Sequence, residues 1–234
     1  MVLLVDVGNS AVKWVISEIG RYRPLQKGIL KHNQIEELRK FKEIPHRVVA
    51  SVKPSLNPKL AEVLNNPIFV RNEDCLHLIS SEYETPHTLG VDRLLNAIGG
   101  LHYANSFCVV SFGTATVTDV VIEKTFLGGA IFLGIEKHLD CLYTYAEQLP
   151  MEKAQVPRRP IGMNTKECIL SGAFYSQVFA VKGLINFYKK LYGIEKVILT
   201  GGSAEVFINQ FETFFLDKEL LFKGLFKVFM NSSY

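Results

Sequence analysis

Two short stretches of the chain place carboxylates where they could do chemistry. The first is Asp6, which ends the apolar run of residues 2–5 and is followed by Gly8, Asn9 and Ser10 before apolar residues resume over 11–17. An apolar β-branched run, a polar turn and a second apolar run read as strand, turn, strand, with a carboxylate at the mouth. Gly8 supplies a backbone freedom that other residues resist. Successive N–H groups in such a turn make a concavity suited to phosphate oxygens, and the adjacent carboxylate can hold a divalent ion against the same phosphates. Asp-x-Gly-Asn is also ordinary hairpin chemistry. The second stretch is Gly90-Val91-Asp92-Arg93, at the head of a predicted helix over residues 92–103 with Leu94, Leu95, Ile98 and Leu101 at helical spacing. Asp92 there can serve as a helix cap. Arg93 has no such use, because a cation is poorly placed at a helix N-terminus; an anionic partner such as a carboxylate or phosphate explains it better.

The first motif has a second copy. Residues 109–121 read VVSFGTATVTDVV; aligned on glycine, Gly113 matches Gly8, Thr114 matches Asn9, Ala115 matches Ser10 and Val120 matches Val15, at an offset of 105 residues. Duplication at about half the chain length predicts two similar lobes facing one cleft. The copy departs at Asp6, whose counterpart is Ser111.

The elements that must position these residues follow from pattern. Strands are predicted at 2–6, 12–18 and 25–30. A helix follows over 34–41, capped by Asn33 with Glu36 as its capping-box partner. A strand at 46–51, a helix at 55–65 and a strand at 68–70 complete a mixed sheet covered by helices. Residues 73–90 read as a long loop, which favours a functional role. Strands at 107–111, 116–122 and 124–132, helices at 135–148 and 164–192, and a strand at 196–200 build the second half. Gly128, Gly129 and Gly134 suggest close approach by a ligand or by backbone, or a bulge. Thr165 and Asn164 stand at the start of the longest helix, where a cap is the simple reading. Gly201-Gly202-Ser203 after a strand is a generic anion site.

Composition bounds the class. Of 234 residues, 48% are hydrophobic and 21% charged, ordinary for a globular chain, and the net charge of +3 does not argue for nucleic acid or a membrane surface. No apolar run predicts a transmembrane helix, and the N-terminus lacks the basic region of a signal peptide. Cys75, Cys108, Cys141 and Cys168 form no C-x-x-C pair, so they read as reduced thiols in a cytoplasmic protein without zinc.

Taken together, DVGNS near the N-terminus, Tyr83 followed by LGVDR, GTATVTDVV, GGAIFLG, IGMNT and the TGG near residue 200 resemble the type III pantothenate kinases, of the acetate and sugar kinase, Hsc70 and actin superfamily. The resemblance covers nearly the whole chain. It implies an α/β fold of two ribonuclease-H-like lobes, each a mixed five-stranded sheet flanked by helices, here over 1–105 and 106–234. It implies ATP-dependent phosphorylation of pantothenate to 4′-phosphopantothenate. By resemblance, Asp6, Val7, Gly8, Asn9, Ser10, Ala11, Val12 and Lys13 form the first phosphate loop for ATP, with Mg²⁺ near Asp6, and Thr114 lies in the second loop. Asp92 is the general base. Tyr83, Gly90, Val91, Asp92 and Arg93 line the pantothenate pocket, and Thr165 contacts pantothenate in a homodimer. The family also uses a monovalent cation, potassium or ammonium, and places an aspartate for it where this chain has Ser111. A hydroxyl there predicts weakened potassium dependence, with Asp119 a substitute only if it lies near. Two other readings are a non-catalytic nucleotide-binding homologue, motivated by Ser111, and another enzyme of the superfamily, such as a sugar kinase or polyphosphate hydrolase.

Overall fold

A computed structural model describes residues 1–232. In chain order the first half runs β1 (Val2–Val7), β2 (Val12–Ser17), β3 (Pro24–Leu30), a 3₁₀ stretch (His32–Phe41), β4 (His46–Ser51), α1 (Asn57–Val63), β5 (Ile68–Phe69), α2 (Asn72–Cys75), β6 (Ser80–Ser81) and α3 (Val91–Gly100). The second half runs β7 (Phe107–Phe112), β8 (Ala115–Ile122), β9 (Thr125–Leu133), α4 (Ile135–Tyr145), α5 (Thr165–Tyr192), β10 (Lys196–Thr200), α6 (Ala204–Phe207), β11 (Phe215–Leu216) and α7 (Leu220–Asn231).

The chain divides into two compact units: residues 1–102, 124–126 and 219–234, and residues 103–123 and 127–218. In the first, the sheet order is β3-β2-β1-β4-β5. β2 and β3 join β1 as an antiparallel meander, while β4 and β5 run parallel to it and to each other. β1 is buried almost throughout because it is central, which is why residues 2–5 are continuously apolar rather than alternating. Leu3, Val5 and Val7 pack with Leu38, Leu60 and Val63 on one face. α7 returns to this unit and lies against α3. Each helix turns a glycine to the other's backbone: a methyl on Gly99 would meet the Leu220 carbonyl, and one on Gly224 would meet that of Leu95.

The second unit repeats the order as β9-β8-β7-β10-β11, again with an antiparallel pair and two parallel partners beside the central strand. The α/β architecture of two mixed sheets flanked by helices is therefore the one expected. The first residues of β9, Thr125 and Phe126, belong to the first unit, where they pair with Ser80 and Ser81 of β6; β6 adds a sixth strand that short polar residues did not announce. α5 has 28 residues and is apolar enough to cross a membrane by length and composition, yet Ile169, Phe174, Val178, Val181 and Ile185 enter the core of this unit with Cys108, Val110 and Phe112 of β7.

Three local expectations differ. The 34–41 helix is a 3₁₀ stretch beginning at His32; Lys31, not Asn33, precedes it, and Gln34 Oε1, not Glu36, accepts from the Lys31 N–H at 2.9 Å. Residues 73–90 are not a bare loop but carry part of α2, β6 and a 3₁₀ turn at Pro86–Thr88. The glycine-aligned repeat slips by one after the turn: Val7 pairs with Val12 but Phe112 pairs with Thr116, so the second turn is one residue shorter. In register, Asp119 rather than Val120 matches Val15.

Candidate active site

Asp6 is the penultimate residue of β1, flanked by Lys13 on β2 and Ala50 on β4. The turn beyond it is closed by the Gly8 N–H donating to the Ala11 carbonyl at 3.1 Å. Gly8 does not adopt a left-handed conformation, and a methyl there would make only ordinary contact at 3.5 Å with that carbonyl. The expected conformational reason for this glycine is therefore wrong; what it provides is an open turn. Burial lifts the Asp6 carboxyl from the ordinary 3.8 to about 6; Lys13 opposes the rise and the neighbouring Asp92 charge adds to it. Asp6, Lys13 and Asp92 are thus electrostatic neighbours within the first unit.

Asp92 sits in the first turn of α3, whose cap is Gly90, not Asp92. Its Oδ1 accepts from the Arg93 N–H at 3.0 Å. The carboxylate folds back over Gly90, so that a methyl on Gly90 would meet Asp92 Oδ1 and displace it. Burial raises the Asp92 pKa, partly offset by the Arg93 N–H and charge. The approach to Gly90 is fixed by a residue that pattern did not reveal: Asn72 of α2 donates Nδ2 to the carbonyls of Pro86, at 2.9 Å, and Leu89, at 2.8 Å. Its only signal was an amide before a predicted loop.

Arg93 is buried, with its guanidinium 5.4 Å from the ring centres of both Tyr83 and Phe126 and Nη1 3.5 Å from the Tyr83 hydroxyl. Cation–π contact with two rings holds a planar cation. Phe126 was missed because it comes from a strand of the other half of the sequence. One helical turn after Asp92, Asn96 is 7% exposed and its Oδ1 is a buried acceptor lacking a hydrogen bond among the described residues. Val91 is buried beneath the same turn.

In the second unit, Ser111 holds the position of Asp6, penultimate in β7, opposite Val117 and beside Thr200 of β10. Asp119 lies two residues farther along β8, opposite Val109, so it shares Ser111's face but not its place at the turn. Thr114 forms the turn; its carbonyl accepts from the Gly134 N–H at 3.0 Å. Gly134, at the head of α4, would drive a methyl into the Gly113 carbonyl, and Gly129 would drive one into that of Thr118. Close backbone approach, rather than a ligand, explains these glycines. The turn is braced by Gln177 of α5, which accepts from Thr116 Oγ1 at 2.7 Å and donates to the Leu133 carbonyl at 2.6 Å. Gly201, at a φ of 98°, packs on the backbone of Phe112, while Gly202 beside it faces open space at the head of the four-residue α6. Thr165 is exposed at the first position of α5, which Asn164 caps by accepting from the Glu167 N–H at 2.9 Å.

Among the described residues, no group of three or more His, Cys, Asp or Glu could hold a metal. Mg²⁺ in a kinase needs no such cage, since it keeps several waters and binds through one or two carboxylates and the phosphates. Asp6, whose charge is costly until a cation is near, fits that requirement.

The profile of the type III pantothenate kinase family matches residues 2–187. The type III pantothenate kinase of Aquifex aeolicus is 34% identical over 209 residues, covering 88% of each chain. Among solved structures, a Baf-family protein from Campylobacter jejuni superposes with a TM-score of 0.69 at 22% identity, covering 97% of this chain and 96% of that one. The inorganic polyphosphate/ATP-glucomannokinase of an Arthrobacter strain superposes at a TM-score of 0.52 and 9% identity over 99% of each chain; these likenesses show the fold, that of the actin-like ATPases and sugar kinases.

Proposed function

The chain belongs to the type III pantothenate kinase family, and on that premise we propose how its own residues move the terminal phosphoryl group of ATP to the hydroxyl of pantothenate, the first step of coenzyme A biosynthesis. Phosphoryl transfer asks for alignment and charge stabilisation more than covalent chemistry. The turn from Asp6 to Lys13 (Asp6, Val7, Gly8, Asn9, Ser10, Ala11, Val12, Lys13) receives ATP phosphates on its backbone N–H groups, and Lys13 adds a cation. Asp6 holds Mg²⁺, which neutralises charge on the phosphates when bound. Thr114 contacts ATP from the shorter turn of the second unit. Tyr83, Gly90, Val91 and Arg93 line the pantothenate pocket.

Asp92 takes the proton from the pantothenate hydroxyl as the new O–P bond forms. The observation that carries this reading is the Asp92 carboxylate, fixed over Gly90 at the head of α3, close enough to Asp6 to be felt electrostatically and made more basic by burial. A carboxylate with raised proton affinity is the better base near neutral pH. A purely binding homologue would have no use for that tuning, so Ser111 does not turn the balance toward it. Ser111 offers a neutral oxygen where the family places a carboxylate, so the enzyme's dependence on potassium or ammonium is weak.

The protein acts as a homodimer in the cytoplasm. In support, α5 leaves Phe179 and Phe187 exposed two turns apart, with open space over Gly172 and Gly183 between and beside them, and the nearby Ile161 and Met163 are also exposed. A second copy covers this face, and Thr165 of one protomer serves the pantothenate pocket of its partner. The test of function is ADP release from Mg–ATP with and without pantothenate, together with detection of 4′-phosphopantothenate. Pantothenate-dependent release with matching product supports the reading; ATP turnover indifferent to pantothenate refutes it.

A further inference from the structure

The 3₁₀ stretch that follows β3 brings one side chain to the first turn. His32 Nε2 lies 3.0 Å from the Gly8 carbonyl oxygen, and its Nδ1 lies 3.2 Å from Lys53 Nζ. Both ring nitrogens are therefore engaged, and the partners dictate the tautomer. A carbonyl oxygen can only accept, so Nε2 carries the hydrogen. An ammonium can only donate, so Nδ1 carries the lone pair. Lys53 thus selects the form of His32 that can grip Gly8.

Gripping that carbonyl has a consequence one bond away. The carbonyl of Gly8 and the N–H of Asn9 share one planar trans peptide and point in opposite directions. Fixing the oxygen on His32 therefore aims the Asn9 N–H away from His32. Gly8 has no side chain to resist rotation of this peptide, and its own N–H is already committed to Ala11. Without His32 nothing else described in the structure bonds the Gly8 carbonyl.

We propose that His32, held in its Nε2–H tautomer by Lys53, is a positioning residue that presets the Gly8–Asn9 peptide so that the Asn9 N–H stands ready to donate to a phosphate oxygen of ATP. This rests on the reading of residues 6–13 as the ATP phosphate turn. A donor oriented in advance costs no reorganisation when the ligand arrives. The effect falls on nucleotide affinity and not on the proton transfer at Asp92.

The test compares ATP and adenosine binding, and the KM and kcat of the pantothenate-dependent reaction, in wild type, His32→Ala, His32→Gln, Lys53→Met and Lys13→Met. Loss of one oriented hydrogen bond predicts a rise of about tenfold in Kd and KM for ATP in His32→Ala, with adenosine affinity, the pantothenate KM and kcat little changed. His32→Gln, whose amide N–H reaches the place of Nε2–H, restores most of the ATP affinity. Lys53→Met, which frees the tautomer without removing the ring, has a smaller effect in the same direction. Unchanged ATP affinity in His32→Ala, an equal loss of adenosine affinity, or no rescue by His32→Gln overturns the proposal. If Lys13→Met weakens ATP binding while His32→Ala does not, the phosphate turn stands and only the role of His32 falls. If neither Lys13→Met nor His32→Ala affects ATP more than adenosine, the phosphate-turn reading fails and takes this role with it.

Discussion

Replacing Asp6 by asparagine should make the free protein more stable while disabling its nucleotide site. The Asp6 carboxyl is raised from the ordinary 3.8 to about 6, first by burial, with Asp92 adding and Lys13 opposing. A carboxyl that binds its proton more tightly when folded contributes stability below its unfolded pKa and loses it as pH rises through the folded value. Some two pKa units correspond to about 3 kcal/mol at pH 8, a ceiling because Asp6 keeps part of its surface. The cost shrinks to about 1 kcal/mol at pH 4.5 and vanishes below the ordinary carboxylate pKa. Asparagine never bears the charge, so Asp6→Asn recovers up to that amount at pH 8, at most roughly 6–12 °C in melting temperature for a chain of this size. Mg–ATP should then reverse the order. A ligand at about 1,000 times its Kd stabilises the wild type by about 4.1 kcal/mol, more than the variant's lead, and the variant, lacking the metal-binding carboxylate, should gain little. The assay is thermal unfolding at pH 4.5 and 8, with and without Mg–ATP. A variant less stable than wild type at pH 8, or an advantage independent of pH, would refute the reasoning.

Other positions give independent tests. Gly134→Ala places a methyl against the Gly113 carbonyl; overpacking of this kind costs roughly 1–3 kcal/mol, and the displaced second turn should also raise the KM for ATP, read by thermal melts and ATP titration. Ser111→Asp restores the carboxylate at the position matching Asp6, so turnover in potassium relative to sodium and choline salts should climb in the variant and stay nearly flat in the wild type. Equal potassium response in both would remove Ser111 from the cation site.

Much of this was legible in the sequence because it rests on local pattern. The two strand–turn–strand motifs are contiguous, and their duplication showed directly as two sheets of the same strand order. Arg93 stood out because a cation sits awkwardly at a helix start, and it drew attention to Asp92 beside it. What escaped detection depends on partners distant in sequence. Phe126 reaches Arg93 from the other half of the chain, and α7 joins the first unit through Gly99 and Gly224, whose lack of a side chain matters only once the helices cross. Asn72 and His32 act on backbone carbonyls, and such bonds leave no spacing in a sequence. The one-residue slip in the repeat arose because glycine alignment assumes turns of equal length, and hydrogen-bond register decides otherwise.

The central claim is that the carboxylate of residue 92 accepts the substrate's proton, and a single-turnover measurement on Asp92→Asn tests it most directly. With Mg–ATP and pantothenate both saturating, the rate of 4′-phosphopantothenate formation should fall by about 10²–10⁴, while ATP affinity remains close to wild type and the unfolding transition is no lower than wild type. Formation at the wild-type rate in a folded Asp92→Asn protein would contradict the account.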